Sequence, residues 1–128
     1  MKLTGSEVLL DSSVWLDYFL NASDKSVKYI DSRNYSLLSC GISLHEVKKK
    51  LLRDKYPAGK ISMSLRLMRA KSLIVEVSSD IFEKSAEDSV NLKLHTADSI
   101  IYRAAMESNA SLVTLDSHFK NLEGVILL

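Results

Sequence analysis

The run Val8-Leu9-Leu10-Asp11-Ser12-Ser13-Val14-Trp15-Leu16-Asp17 decides the fold. Three apolar residues followed directly by an acid read as a short strand buried on both faces of a sheet. Val14, Trp15, Leu16, Tyr18 and Phe19 then fit a helix over 12–20 that leans back on that sheet. A strand that passes straight into a helix opens a βα unit, and the unit recurs along the chain. Leu37-Leu38-Ser39-Cys40 reads as a second strand, with Gly41 as punctuation. Further strands are predicted over 72–77, 112–115 and 125–128. The helix over 43–56 presents Leu44, Val47, Leu51 and Leu52 on one face. Others are expected at 25–33, after Pro57 (carrying Ile61, Met63, Leu65, Leu67 and Met68), at 79–91 and at 96–109. In the last, Ala97, Ile100, Ile101, Ala104 and Ala105 recur at i, i+3, i+4, i+7 and i+8, small enough for close approach to a sheet. This alternation predicts an α/β fold: three layers, α/β/α, around a central, mainly parallel five-stranded sheet. Repeats, low-complexity tracts and linkers are missing from the sequence, so residues 1–128 read as a single domain.

Composition excludes several classes. Four glycines and one proline disfavour a turn-rich β-sandwich. One cysteine, Cys40, excludes an intrachain disulfide framework and a cysteine-built zinc site. No apolar run approaches the roughly 18 residues of a membrane span. Met1–Glu7 shows no apolar stretch behind a basic start, so no leader is visible and a reducing, cytoplasmic setting is expected. The net charge of +1 hides a segregation. Between Glu46 and Lys71 lie nine bases and two acids, a local +7, against −6 for the remainder. A solvated helical surface accounts for such a run, as does a rim that holds a phosphate backbone. Tyr56 is the only aromatic in it, so no stacking platform for bases is evident.

In a right-handed βαβ unit each crossover helix begins at the edge where strands end, and ligands bind along that edge. Four acids fall there by this rule. Asp11 ends the first strand and Asp116 the fourth. Glu46 lies in the first turn of the helix after the second strand, and Asp98 in the first turn of the helix leading into the fourth. Each acid also has a local explanation. Ser43-Leu44-His45-Glu46 reads as a capping box. Asp98 follows a Thr96 cap and favours the helix dipole. Asp11 and Asp116 suit caps for the segments after them. Glu46 and Lys50 are spaced as an i, i+4 pair. Taken jointly, four carboxylates at one edge repel, and a divalent cation removes that cost. All-oxygen ligands suit Mg²⁺ or Mn²⁺. His45, His95 and His118 lack zinc-site spacing, although His45 and His118 neighbour the acids. Serine nucleophile chemistry lacks the glycine-flanked elbow it needs.

At these residues the sequence resembles the PIN-domain ribonucleases, especially the small VapC-type toxins. Residues 8–17 resemble the family's opening strand with its acid. Ser43-Leu44-His45-Glu46-Val47 resembles the second acidic motif and Thr96-Ala97-Asp98-Ser99-Ile100-Ile101 the third. Leu112-Val113-Thr114-Leu115-Asp116-Ser117-His118-Phe119, with Gly124-Val125 beyond, resembles the T-x-D-x-x-F ending. The resemblance implies a Mg²⁺- or Mn²⁺-dependent endoribonuclease that hydrolyses RNA with a metal-activated water. It implies Asp11, Glu46, Asp98 and Asp116 as the metal-binding and catalytic quartet, with Ser13 and Thr114 as polar supports. Many relatives carry a further acid where His118 stands, and often alanine at Ser99. A small antitoxin and a second copy of the chain are the implied partners. Lys48, Lys49, Lys50 and Arg53 are the candidate RNA contacts.

Rival readings fit less well. A haloacid-dehalogenase phosphatase needs a second aspartate where Ser13 stands, and a receiver domain needs an aspartate where Cys40 ends the middle strand. GxGxxG and P-loop motifs are missing from the sequence. A non-catalytic RNA- or protein-binding module on the same fold, or a processing nuclease that is not a toxin, remains the alternative.

Overall fold

The computed structural model describes residues 6–128. The first five residues, which carry most of the reading against a leader, lie outside that range. Five strands form one sheet: β1 (Glu7–Leu10), β2 (Ser36–Cys40), β3 (Leu73–Val75), β4 (Ser111–Thr114) and β5 (Val125–Leu127). Their order is β3-β2-β1-β4-β5, and all four pairings are parallel. The register sets Leu9 beside Leu38 and Leu112, and Leu10 beside Ser39 and Val113. Alternation along the strands then divides the apolar residues between two cores. Val8, Leu10, Leu37 and Val113 belong to one cluster; Leu9, Cys40 and Leu112 belong to the other.

Helices cover both faces. The first cluster is completed by α1 (Ser12–Leu20), α2 (Asp24–Ile30), α3 (Gly41–Arg53) and α4 (Ala58–Lys71). Trp15 is fully buried there, stacks on Phe19 and donates from Nε1 to Ser39 Oγ at 2.9 Å. The second cluster is built on α6 (Thr96–Glu107), whose Ala104 and Ala105 are fully buried. On α6 packs α5 (Ser79–Leu92), tied to it by Arg103, which donates from Nε and Nη2 to the two oxygens of Asp88, both at 2.7 Å. Among the described residues, no helix is long and apolar enough to cross a membrane.

Several local expectations need correction. The capping box at Ser43–Glu46 does not form. The chain enters α3 at Gly41 without a loop, Cys40 is the N-cap, and the buried Ser43 hydroxyl has no hydrogen-bond partner. Glu46 is therefore the sixth residue of α3, in its second turn, and not in the first. Thr96 is not a cap either: His95 is, with no side-chain bond, and Thr96 is the first residue of α6. Leu52 is 56% exposed and leaves the apolar face of α3. Of the apolar residues on α4, Ile61 and Met68 are buried in the core, whereas Met63 is 56% exposed. Ser72 belongs to no strand, because its hydroxyl donates back to the Met68 carbonyl at the end of α4. A 3-10 turn at Ser117–Phe119, unmarked by periodicity, buries Phe119 beneath the second core. Gly124, at φ +79°, turns the chain into β5 where a Cβ would meet Met106 Cε at 2.6 Å.

Candidate functional site

The sheet reverses its order between β1 and β4, the place where parallel sheets open a crevice beyond their strand ends. Asp11 directly follows β1 and Asp116 lies two residues past β4. The amide of Asp11 donates to the Val113 carbonyl at 2.9 Å, so the end of β1 stays latched to β4. Asp98 sits in the first turn of α6, and α3 carries Glu46 to the same edge. Asp11, Glu46 and Asp98 each feel neighbouring carboxylates on top of burial. Asp11, Asp98 and Asp116 each raise the proton affinity of Glu46, and Asp116 and Asp11 raise that of Asp98.

Asp11 is the buried anchor of the group. Its Oδ2 accepts from Ser13 Oγ and from Thr114 Oγ1, both at 2.7 Å. Each hydroxyl has one proton, and each spends it on this oxygen. Their own oxygens are also used: the Leu115 amide donates to Ser13 at 3.0 Å, and the Asp116 amide donates to Thr114 at 2.9 Å. Thr114 thus ties the first acid to the backbone of the fourth. Burial still outweighs these donors, and the Asp11 carboxyl is pushed above its usual range. Burial likewise raises Glu46 and Asp98, with their neighbours adding to it.

Glu46 does not pair with Lys50, which instead binds Asp54 at 2.8 Å. Ser12 Oγ donates to Glu46 Oε1 at 3.0 Å, a bond that sequence reasoning missed. Its signal was the Asp-Ser-Ser triplet, in which both hydroxyls serve acids. Asp116 suits a cap as expected: its Oδ1 accepts from the His118 amide at 2.9 Å. The His118 ring lies beside it, Nδ1 being 3.2 Å from Asp116 Oδ1 and 3.8 Å from Asp98 Oδ2. Asp98, Asp116 and His118 offer ligand atoms that all lie within 4.8 Å of one another. Among the described residues, no lysine or arginine pairs with any of the four acids.

This donor set fits a hard divalent cation: carboxylates at one edge, proton affinities of Asp11, Glu46 and Asp98 raised by burial and by neighbouring carboxylates, and, among the described residues, no lysine or arginine paired with them. Beside the acids, a cleft of about 420 Å³ is lined by Ser12, His45 and Glu46 with Lys49, Lys50 and Arg53. Lys48 does not line this cleft; it lines a second groove of about 530 Å³ between α3 and α4 with Leu52, Tyr56, Ile61 and Leu65.

The model of the PIN domain family matches residues 8–125. The chain belongs to the PIN-domain family. Among solved structures, this PIN domain is similar to a toxin–antitoxin complex from Klebsiella pneumoniae, at 21% identity over 93% of this chain and 95% of that one, with TM-score 0.78. It is similar to VapBC2 from Rickettsia felis bound to a DNA fragment from its promoter, at 19% identity, 95% and 97% coverage and TM-score 0.78. It is also similar to Mycobacterium tuberculosis VapC20, a sarcin–ricin loop cleaving toxin, at 15% identity, 84% and 87% coverage and TM-score 0.69. No curated protein matches the chain. The PIN fold expected from the sequence is the fold observed.

Proposed function

We propose that this PIN domain, the whole chain acting as one unit, is a Mg²⁺- or Mn²⁺-dependent endoribonuclease. One observation carries the reading. Four carboxylates from separate elements lie at the switch-point edge of the sheet, where burial and neighbouring carboxylates raise the proton affinity of Asp11, Glu46 and Asp98. Asp11, Glu46, Asp98 and Asp116 would hold the cation. When bound, it supplies an acidified water and offsets charge on the phosphate. The chain's own residues do the rest. Ser13 and Thr114 fix the plane of the Asp11 carboxylate through Oδ2. Ser12 orients Glu46 from the cleft side. The raised proton affinities suit carboxylates that share a cation or accept a proton from water near neutral pH.

The test is cleavage of total RNA by purified protein with Mg²⁺ or Mn²⁺ and with EDTA. Cuts that appear only with metal, leaving 5′-phosphates, support the reading. Intact RNA under all conditions leaves a binding module.

The cleft gives the strand its approach. Lys49, Lys50 and Arg53 stand along it beside Glu46, and we assign them the phosphate backbone. Replacing Lys49 and Arg53 together by alanine should weaken binding of single-stranded RNA. The slope of log affinity against log salt should flatten by about 0.7 for each phosphate that the variant no longer neutralises. The Lys48→Ala control, on the other groove, should change the slope little. An equal change in both proteins would remove the assignment.

We further infer that the chain is the toxin of a type II pair in the cytoplasm, with a small antitoxin and a second copy as partners. Solved structures similar to it include toxin–antitoxin complexes. Growth arrest on expression, relieved by co-expressing the product of a short adjacent gene, is the expected outcome.

A further inference from the structure

The imidazole of His118 is the group at this edge that the carboxylate quartet leaves unexplained. Its side chain is 61% exposed, so packing does not hold it there. Its position follows from the 3-10 turn Ser117–Phe119. The buried Phe119 anchors that turn, and the Asp116 carboxylate caps it by accepting the His118 amide. Nδ1 then points between Asp116 Oδ1, at 3.2 Å, and Asp98 Oδ2, at 3.8 Å. Atoms that share one ion lie at most about two ligand bonds apart, roughly 4–5 Å. The ligand atoms of Asp98, Asp116 and His118 lie within 4.8 Å of one another, at the outer end of that range. Two readings suit this geometry: a protonated imidazole paired with two carboxylates, or a neutral imidazole that shares their cation.

We propose that His118 supplies a nitrogen ligand to the metal held by Asp98 and Asp116. The site then favours Mn²⁺ over Mg²⁺, because imidazole binds later first-row metals and Mg²⁺ prefers oxygen and water. The inference rests on the metal-dependent reading above. It adds that the donor set is mixed, nitrogen with oxygen.

The experiment uses full-length protein, free of metal, titrated with Mn²⁺ alone and then with Mg²⁺ as competitor. Pulsed electron paramagnetic resonance of bound Mn²⁺ should show coupling to nitrogen, shifted when the protein is labelled with ¹⁵N-histidine. In the His118→Asp variant Mn²⁺ should still bind, the coupling should vanish, and the preference for Mn²⁺ over Mg²⁺ should fall by roughly tenfold or more. The His95→Gln variant is the control, since the His95 ring lies 5.7 Å from that of His118. It should keep the coupling. Melting of each metal-free variant shows that the fold is retained. Mn²⁺ bound without nitrogen coupling, or coupling that survives in His118→Asp, overturns the proposal and leaves the carboxylate site standing. Failure of the parent to bind either metal overturns both.

Discussion

Asp98→Asn should yield a protein that no longer cuts RNA and that melts higher than its parent without metal. Cleavage is expected to fall roughly 10³-fold or more, the scale of losing a group that stabilises transition-state charge. The gain in stability follows from the state of the site. Burial raises the proton affinity of Asp11, Glu46 and Asp98, and their neighbours add to it. Between the unfolded pKa and the raised folded one, the folded chain binds more protons than the unfolded chain. Stability of the metal-free protein therefore declines as pH rises through that window. Asparagine at 98 removes one charge, so it should flatten the decline and add about 1 kcal/mol near neutral pH, or roughly 3–5 °C. Saturating Mg²⁺ should raise the melting temperature of the parent and raise that of the variant less. Calorimetry at pH 5 and pH 7.5, with EDTA and with Mg²⁺, reads all of this. A variant that keeps the parent's rate, once freed of contaminating nuclease, ends the assignment of Asp98. One that melts lower at both pH values shows that Asp98 has a structural role instead.

The position of the acids in the fold was legible because it depends on topology more than on local detail. A strand–acid–helix run such as Val8–Asp17 carries enough apolar periodicity to fix direction, and parallel direction puts Asp11 and Asp116 at one edge whatever the loops do. Errors arose where short-range patterns compete with tertiary joints. Ser43-Leu44-His45-Glu46 has the spacing of a capping box, but β2 runs into α3 at Gly41 with no intervening turn. The helix therefore starts earlier, and Glu46 is held by Ser12 across a separation of 34 residues. The Asp-Ser-Ser triplet offers the hydroxyl, but no local pattern says which distant acid it serves. Leu52 obeys helical spacing yet faces solvent, because α4 leaves a groove beside it instead of covering it. The 3-10 turn at Ser117–Phe119 is too short for any periodic signal, and it is the element that aims His118.

Thr114→Val should be the most damaging change that leaves every acid in place. The threonine is fully buried, and valine matches it in shape, so packing is preserved and the hydroxyl alone is removed. That hydroxyl donates to Asp11 Oδ2 and accepts from the Asp116 amide. Without it the Asp116 amide is left without its partner, at a cost of about 1–3 kcal/mol. Asp11 keeps only Ser13 as a hydroxyl donor, and loss of a donor that favours the charged form raises its pKa further. Metal-supported cleavage should then fall roughly 10- to 100-fold, as for other groups that orient a ligand. The acidic limb of the pH–rate profile should move to higher pH, since Asp11 must now lose its proton against a weaker set of donors. Thr114→Ser restores the hydroxyl and should recover most of the rate and the original profile, although it removes a methyl from the core. A role in packing alone would predict the reverse order: valine tolerated and serine, short of that methyl, the more harmful. Measured rates across pH 5–9 for the three proteins decide between them.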